Sequence, residues 1–261
     1  MTVHFIGAGP GAADLLTLRA VRILESSPVC LYAGALVPPE VLDHCPEGAR
    51  LVDTADLDLD TITAELVAAH ERGEDVARLQ SGDLSVFSAV SEQIRRLEAA
   101  GVPYSLTPGV PAFAAAAAAL GQELTVPTVG QTVILTRAAR NATAMPPGEE
   151  LDELARTGAL LVLHLATNLV EHVVETLVPH YGEHCPAAVV AMASREDEIV
   201  ARCELADLAT TVRGRGIRRT ALLFVGRALQ AGDFGDSHLY SAACAAQRRE
   251  SPLPPPLVID R

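Results

Sequence analysis

The chain contains no lysine: all 20 of its basic residues are arginine. Every cation is therefore a planar fork suited to carboxylates or phosphates, not a compact point charge. Cations are also in deficit, 20 against 33 acidic residues, for a formal net charge of −13. That balance argues against nucleic acid as a diffuse electrostatic partner. No stretch reaches the ~18 uninterrupted apolar residues that a membrane span needs. Met1 leads straight into a strand-like run, without the charged and apolar regions of a secretory signal. A cytoplasmic protein with no membrane partner is expected. The five cysteines, Cys30, Cys45, Cys185, Cys203 and Cys244, stand singly and form no CxxC pair. They read as reduced thiols, and neither His44-Cys45 nor His184-Cys185 has a ligand-spaced companion, so no metal is expected.

What the chain does have is core material: 49% of its 261 residues are hydrophobic, and only 3% are aromatic. Short apolar runs at Val3–Ile6, Val29–Tyr32, Val76–Leu79 and Tyr104–Leu106 alternate with helical spacing at 15–24, 61–72 and 86–100. Strand and helix alternating in this way predict an α/β layer with a largely parallel sheet. Further strands are expected at 132–136, 159–165, 187–192 and 221–225, with helices near 149–156, 168–178 and 204–212. The expected organisation is two α/β domains, 1–112 and 122–229, joined by a small-residue helical connector at 113–121 (from PAFAAAAAAL at 111–120, closed by Gly121). An irregular Pro-containing tail, 230–261, follows.

The first glycine turn, GAGPGA at 7–12, satisfies the G-x-G-x-x-G/A dinucleotide fingerprint between a strand and a helix. It fails two tests of that reading. The second strand should end in an acidic residue for the ribose, and it ends Leu31-Tyr32-Ala33-Gly34. Pro10 also removes a backbone N–H from a loop whose value lies in donating N–H groups to phosphate. What remains is a tight turn that brings backbone close to a ligand without relying on anion capture.

Five motifs now line up in order: GAGPG at 7–11, LYAGALV at 31–37, SGDLSVF at 81–87, TPGVPAFAAAAAAL at 107–120 and GQTVILTRA at 130–138. Together they resemble the tetrapyrrole (corrin/porphyrin) methylases, and the resemblance runs from residue 3 to about 229. It implies a fold of two α/β domains forming a trough, not a dinucleotide-binding Rossmann domain. It also implies S-adenosyl-L-methionine as cofactor, a tetrapyrrole substrate and a homodimer. LYAGALV and QTVILTRA resemble the branch that methylates C11 of precorrin-4 in cobalamin biosynthesis. Carried over by position, the cofactor site would include Pro10, Ser81, Gly82, Asp83 and the backbone at Val86. Pro111 and Ala112 would follow, with Leu165, Met192, Ala193 and Ala221 from the second domain. Two positions depart from the family pattern: Leu84 replaces a common Pro, and Pro111 replaces a common Thr.

Transfer of a methyl group from a sulfonium is an in-line displacement by an already activated donor, so alignment and exclusion of water are the enzyme's main work. Glu92 is the candidate general base. Relatives acting on uroporphyrinogen III carry an Arg where this chain has Ala89, which counts against that substrate. Substrate carboxylates call for arginines; Arg137 and Arg140 are the first candidates, with Arg213, Arg215, Arg218 and Arg219 in a run that reads more readily as a solvated loop. Two alternatives stay open. One is a methylase of this fold acting on another precorrin carbon or on cobalt-precorrin-4. The other is a nicotinamide- or flavin-dependent oxidoreductase using GAGPGA. Titration calorimetry separates the classes: S-adenosylhomocysteine should bind, and binding of NAD(H) alone would overturn the methylase reading.

Overall fold

The computed structural model describes residues 1–139, 144–232, 234, 235 and 237. From the N-terminus the elements are β1 (Val3–Gly7), α1 (Leu18–Ser26), β2 (Val29–Tyr32), α2 (Pro39–Leu42), β3 (Arg50–Asp53), α3 (Leu59–Glu71), β4 (Val76–Gln80), α4 (Val90–Ala99) and β5 (Tyr104–Thr107). Local signals start the helices: the Thr17 hydroxyl accepts from the Ala20 N–H at 3.1 Å, and Asp58 accepts from the Thr61 N–H at 2.7 Å. The five strands form a wholly parallel sheet in the order β3-β2-β4-β1-β5. Its two faces are covered separately. Ile6, Cys30, Ala77 and Leu79 pack with Leu24 and Val41, while Val3, Phe5, Leu31 and Val76 pack with Leu66 and Leu97. Burial on both faces is what a parallel sheet requires.

Two expectations need correction here. β3 carries a charge at each end, Arg50 and Asp53, and lies at the sheet edge, so no hydrophobic pattern announces it. Its pairing with β2, not its propensity, makes it a strand. The helix expected from Val86 starts at Val90 instead, because Phe87 and Ala89 both adopt left-handed backbone at φ 52°. Asp83 therefore does not cap it.

The second half contains α5 (Ala112–Ala119), β6 (Val133–Arg137), α6 (Leu151–Ala155), β7 (Leu160–His164), α7 (Val170–Tyr181), β8 (Pro186–Ala191), β9 (Ile199–Glu204), α8 (Leu208–Gly214) and β10 (Ala221–Val225). They build a sheet in the order β6-β7-β10-β8-β9. Only β6 and β7 are parallel; the other three pairings are antiparallel. The largely parallel arrangement expected of the chain thus holds for the first sheet only. β9 escaped the hydrophobic pattern because IVARCE is broken by Arg202. That side chain is spent structurally, donating to the carbonyls of Leu229 at 2.7 Å and Leu120 at 2.6 Å.

The segment expected to connect the two halves forms part of the second core. Ala116 and Leu120 pack with Leu160, Val162, Val190, Leu222 and Phe224, so methyl-sized side chains let α5 lie close on the sheet. α7 and α8 cover the opposite face. Cys30, Cys45, Cys185 and Cys203 are free thiols, and Cys244 lies outside the described residues, as does most of the 230–261 tail. Among the described residues no helix is long and apolar enough to cross a membrane.

Gly7 at the end of β1 meets Gly82 and Gly109, each two residues beyond the ends of β4 and β5, in close approach. A Cβ built on Gly7 would stand 2.5 Å from the Gly109 nitrogen and 2.8 Å from the Gly82 oxygen, all backbone atoms. Gly7→Ala should therefore destabilise the protein by about 3 kcal/mol, at the upper end of overpacking costs. Gly130, where a Cβ meets nothing within 4 Å, is the control; its alanine variant should stay within about 0.5 kcal/mol of the parent in urea unfolding.

Candidate functional site

Loops leave the C-terminal ends of β1, β2, β4 and β5 on one side of the first sheet, where open parallel sheets bind ligands. Facing them are residues at the ends of β7, β8 and β10. Between the two sets lies a cleft of about 330 Å³. Pro10, Leu36, Ser81, Gly82, Asp83, Val86, Phe87, Pro111 and Ala112 line one side, and His164, Leu165, Thr167, Asn168, Ala193 and Arg218 to Leu222 line the other.

The opening loop is bonded inward. The Ala8 N–H donates to the Gln80 carbonyl at 2.7 Å, and Gly9 and Gly82 exchange backbone hydrogen bonds of 3.1 and 2.7 Å. The Ala12 N–H donates to the Ser194 hydroxyl at 3.0 Å, across to the second half of the chain. With those three donors occupied and none on Pro10, the loop is poorly equipped to cradle a phosphate. Its glycines serve close approach instead.

Asp83 ties two glycine turns together. Its Oδ2 accepts from the Gly109 N–H at 2.8 Å, and its Oδ1 accepts from the Ser85 N–H at 2.9 Å and from the Ser85 hydroxyl. Burial alone would raise this carboxyl. Donation from Ser85, Gly109 and Leu84 outweighs it and holds the group below the ordinary aspartate range.

Both walls carry exposed apolar side chains and strained backbone. Leu165 is 71% exposed, Phe87 48% and Leu36 42%, large apolar side chains turned into the cleft. Phe87, Leu165 and Thr220 adopt left-handed backbone; so do Ala89, Met192 and Ser194, each within two residues of the lining. Such positions cost about 1–3 kcal/mol each and persist where the surroundings over-determine them. His164 lies beside Phe87, ring centroids 5.0 Å apart, with its Nε2 buried and without a hydrogen-bond partner. Burial pushes this imidazole down to about 4, so it is neutral at neutral pH.

Most of the residues carried over by position converge here: Pro10, Ser81, Gly82, Asp83, Val86, Pro111, Ala112, Leu165, Ala193 and Ala221 line the cleft. Met192 does not; its sulfur turns toward Arg195, 3.9 Å from Nη1. Glu92 is exposed on the first turn of α4, in the wall of a separate recess with Ser88 and Arg95. Arg137 is not on the lining, and Arg140 lies outside the described residues. Arg218 and Arg219, which read as solvated loop, stand on the cleft wall. Leu36 and Phe87 sit inside quoted motifs, so their place was recoverable. Nothing local marks His164, a lone histidine at a strand end. Among the described residues no three His, Cys, Asp or Glu side chains gather as metal ligands.

Asp83 should govern local order with a defined sign. Because its folded value is lowered, its contribution is fully present above the unfolded value near 3.9 and is lost as pH falls through the folded one. The Gly109 amide should therefore shift in NMR spectra only below about pH 4. Asp83→Ala should speed its hydrogen exchange by about tenfold or more at neutral pH.

Comparison with known proteins places this geometry. The family model for tetrapyrrole (corrin/porphyrin) methylases matches residues 2–209. A precorrin-4 C(11)-methyltransferase from Rhodococcus erythropolis is 60% identical, over 93% of this chain and 97% of its own. The solved structure of a cobalt precorrin-4 methyltransferase of cobalamin biosynthesis superposes with a TM-score of 0.85 at 35% identity, covering 88% of this chain and 96% of that one. A uroporphyrin-III C-methyl transferase from Thermus thermophilus, solved with S-adenosylhomocysteine, gives 0.74 at 27% identity, covering 89% of this chain and all of that one. With a glycine-walled cleft between two sheets and a family match over most of its length, the chain belongs to the tetrapyrrole methylases.

Proposed function

We propose that the protein transfers a methyl group from S-adenosyl-L-methionine to C11 of precorrin-4, giving precorrin-5 and S-adenosylhomocysteine in cobalamin biosynthesis. The observation that carries the reading is the convergence of ten carried-over residues, Pro10 through Ala221, on one cleft whose opening loop spends its Ala8, Gly9 and Ala12 N–H groups on internal hydrogen bonds. When bound, S-adenosylmethionine supplies a methyl group on a cationic sulfur. The lining fits such a group: apolar side chains, carbonyl-rich glycine turns, one carboxylate at Asp83 and the unpartnered His164. The protein's own work is to align donor and ring carbon and to keep water out, which Leu36, Phe87 and Leu165 do by covering the cleft with hydrocarbon. A carbon–carbon bond forms at C11 as the methyl–sulfur bond breaks, its electron pair stays on sulfur, and a proton leaves the macrocycle.

The cobalt-free substrate is favoured because identity to the Rhodococcus precorrin-4 enzyme is 60%, against 35% to the cobalt-precorrin-4 enzyme of known structure. Homodimer formation and a cytoplasmic location belong to the same reading; they rest on family resemblance, and light scattering in solution and cell fractionation test them.

On a chain of charge −13, attraction for a polycarboxylate must be local. Arg218 and Arg219 supply it on the cleft wall. Incubation with labelled donor should methylate precorrin-4 at C11 faster than its cobalt complex, and no product with either would overturn the assignment. Arg218→Gln and Arg219→Gln should each raise KM for precorrin-4 about five- to tenfold while leaving S-adenosylhomocysteine affinity within about twofold.

A further inference from the structure

Arg195 follows β8 in the turn that leads to β9, and it lies outside the cleft lining. Its turn is fixed from within: the Arg195 N–H donates to the Met192 carbonyl at 3.0 Å, and the Ser194 N–H donates to Glu198 Oε2 at 2.7 Å. The side chain crosses from the second half of the chain to the first. Nη2 donates to the Ala35 carbonyl at 2.9 Å, Nη1 lies 3.9 Å from the Met192 sulfur, and Nε is buried without a partner. Its stem runs over the opening glycine loop so closely that a Cβ on Gly11 would come within 2.5 Å of Cγ and 2.8 Å of Nε.

Each point of contact is next to a wall residue. Gly11 follows Pro10, Ala35 precedes Leu36, and Met192 precedes Ala193; Pro10, Leu36 and Ala193 line the cleft from three separate loops. Among the described residues Arg195 has no carboxylate partner. A surface ion pair therefore does not explain this half-buried guanidinium; its hydrogen bond to a carbonyl and its packing do.

We propose that Arg195 is a positioning residue for methyl transfer, a strut that fixes the spacing of Pro10, Leu36 and Ala193 across the cleft, and that Gly11, whose φ of 156° already favours glycine, also admits its stem. The proposal rests on the methyltransferase reading for its effect on catalysis, but the coupling between Arg195 and Gly11 does not. A planar fork is needed, since lysine has one nitrogen and cannot span the carbonyl and the thioether together.

The test uses the full chain and the variants Arg195→Lys, Arg195→Met, Gly11→Ala and Gly11→Ala with Arg195→Ala. Arg195→Met and Arg195→Lys should each weaken S-adenosylhomocysteine binding about tenfold by calorimetry and lower kcat with precorrin-4, with KM for precorrin-4 changing less than about twofold. Amide exchange at Ala35 and Leu36 should rise in both at a temperature where the fold is intact. Wild-type donor affinity and wild-type exchange in Arg195→Met would overturn the proposal, as would a lowered melting temperature with donor affinity unmoved. Gly11→Ala should cost less stability in the Arg195→Ala background than in the parent, and strictly additive effects would overturn the steric half of the idea. If the parent itself binds no S-adenosylhomocysteine, the methyltransferase reading fails, and the stability cycle and amide exchange still decide whether the strut exists.

Discussion

The site depends on one contact made without side chains. Gly7 and Gly109, at two different strand ends, lie so close to each other and to the Gly82 carbonyl that a Cβ added to either would enter a neighbour's backbone. Peptide groups then do what side chains do elsewhere: Gly9 and Gly82 pair as a short antiparallel bridge, and Asp83 reaches over to hold the Gly109 N–H. This contact gives the first sheet a rim thin enough for a ligand to lie against. The pairing of Gly9 with Gly82 also occupies a donor that an anion site in the opening loop would need.

From that rim outward, the structure trades local comfort for shape. Left-handed backbone at Phe87, Leu165 and Thr220 turns these residues onto the cleft wall, and the surrounding sheets supply the rigidity that holds them. Both cores are dense with Leu, Val and Ala, and each is covered on both faces of its sheet. A neutral His164 and exposed apolar lips make the cleft hydrophobic, while Arg218 and Arg219 bring positive charge to its edge. Such a surface suits a large flat ring carrying peripheral carboxylates.

Much of this was legible. Val29–Tyr32 and Ala221–Val225 end where their apolar runs end, and most other strands fall within a residue or two. The parts that were not legible share a cause. β3 and β9 carry charged residues, Arg50 and Asp53 in one and Arg202 in the other, whose place in a sheet is set by neighbouring strands. The stretch before α4 reads as helix because its residues suit one, yet the tertiary demand on Phe87 and Ala89 overrides that preference.

The cleft divides in the same way. Glycine positions, Pro10 and the SGD turn were visible because their chemistry is local: a proline has no N–H, and a glycine admits what no other residue can. Pro10 and the lack of an acidic residue after Tyr32 likewise argue against a phosphate cradle from sequence alone. The order of the strands, the mixed direction of the second sheet and the convergence of residues 10, 83 and 165 were decided by tertiary structure. So was the passage of Arg195 over Gly11, 184 positions away in a chain of 261 residues. Sequence determines what each segment can do by itself, through periodicity and backbone freedom. Only packing determines which segments meet, because burial is non-directional and many pairings would satisfy it equally until sheet register and close approach select one.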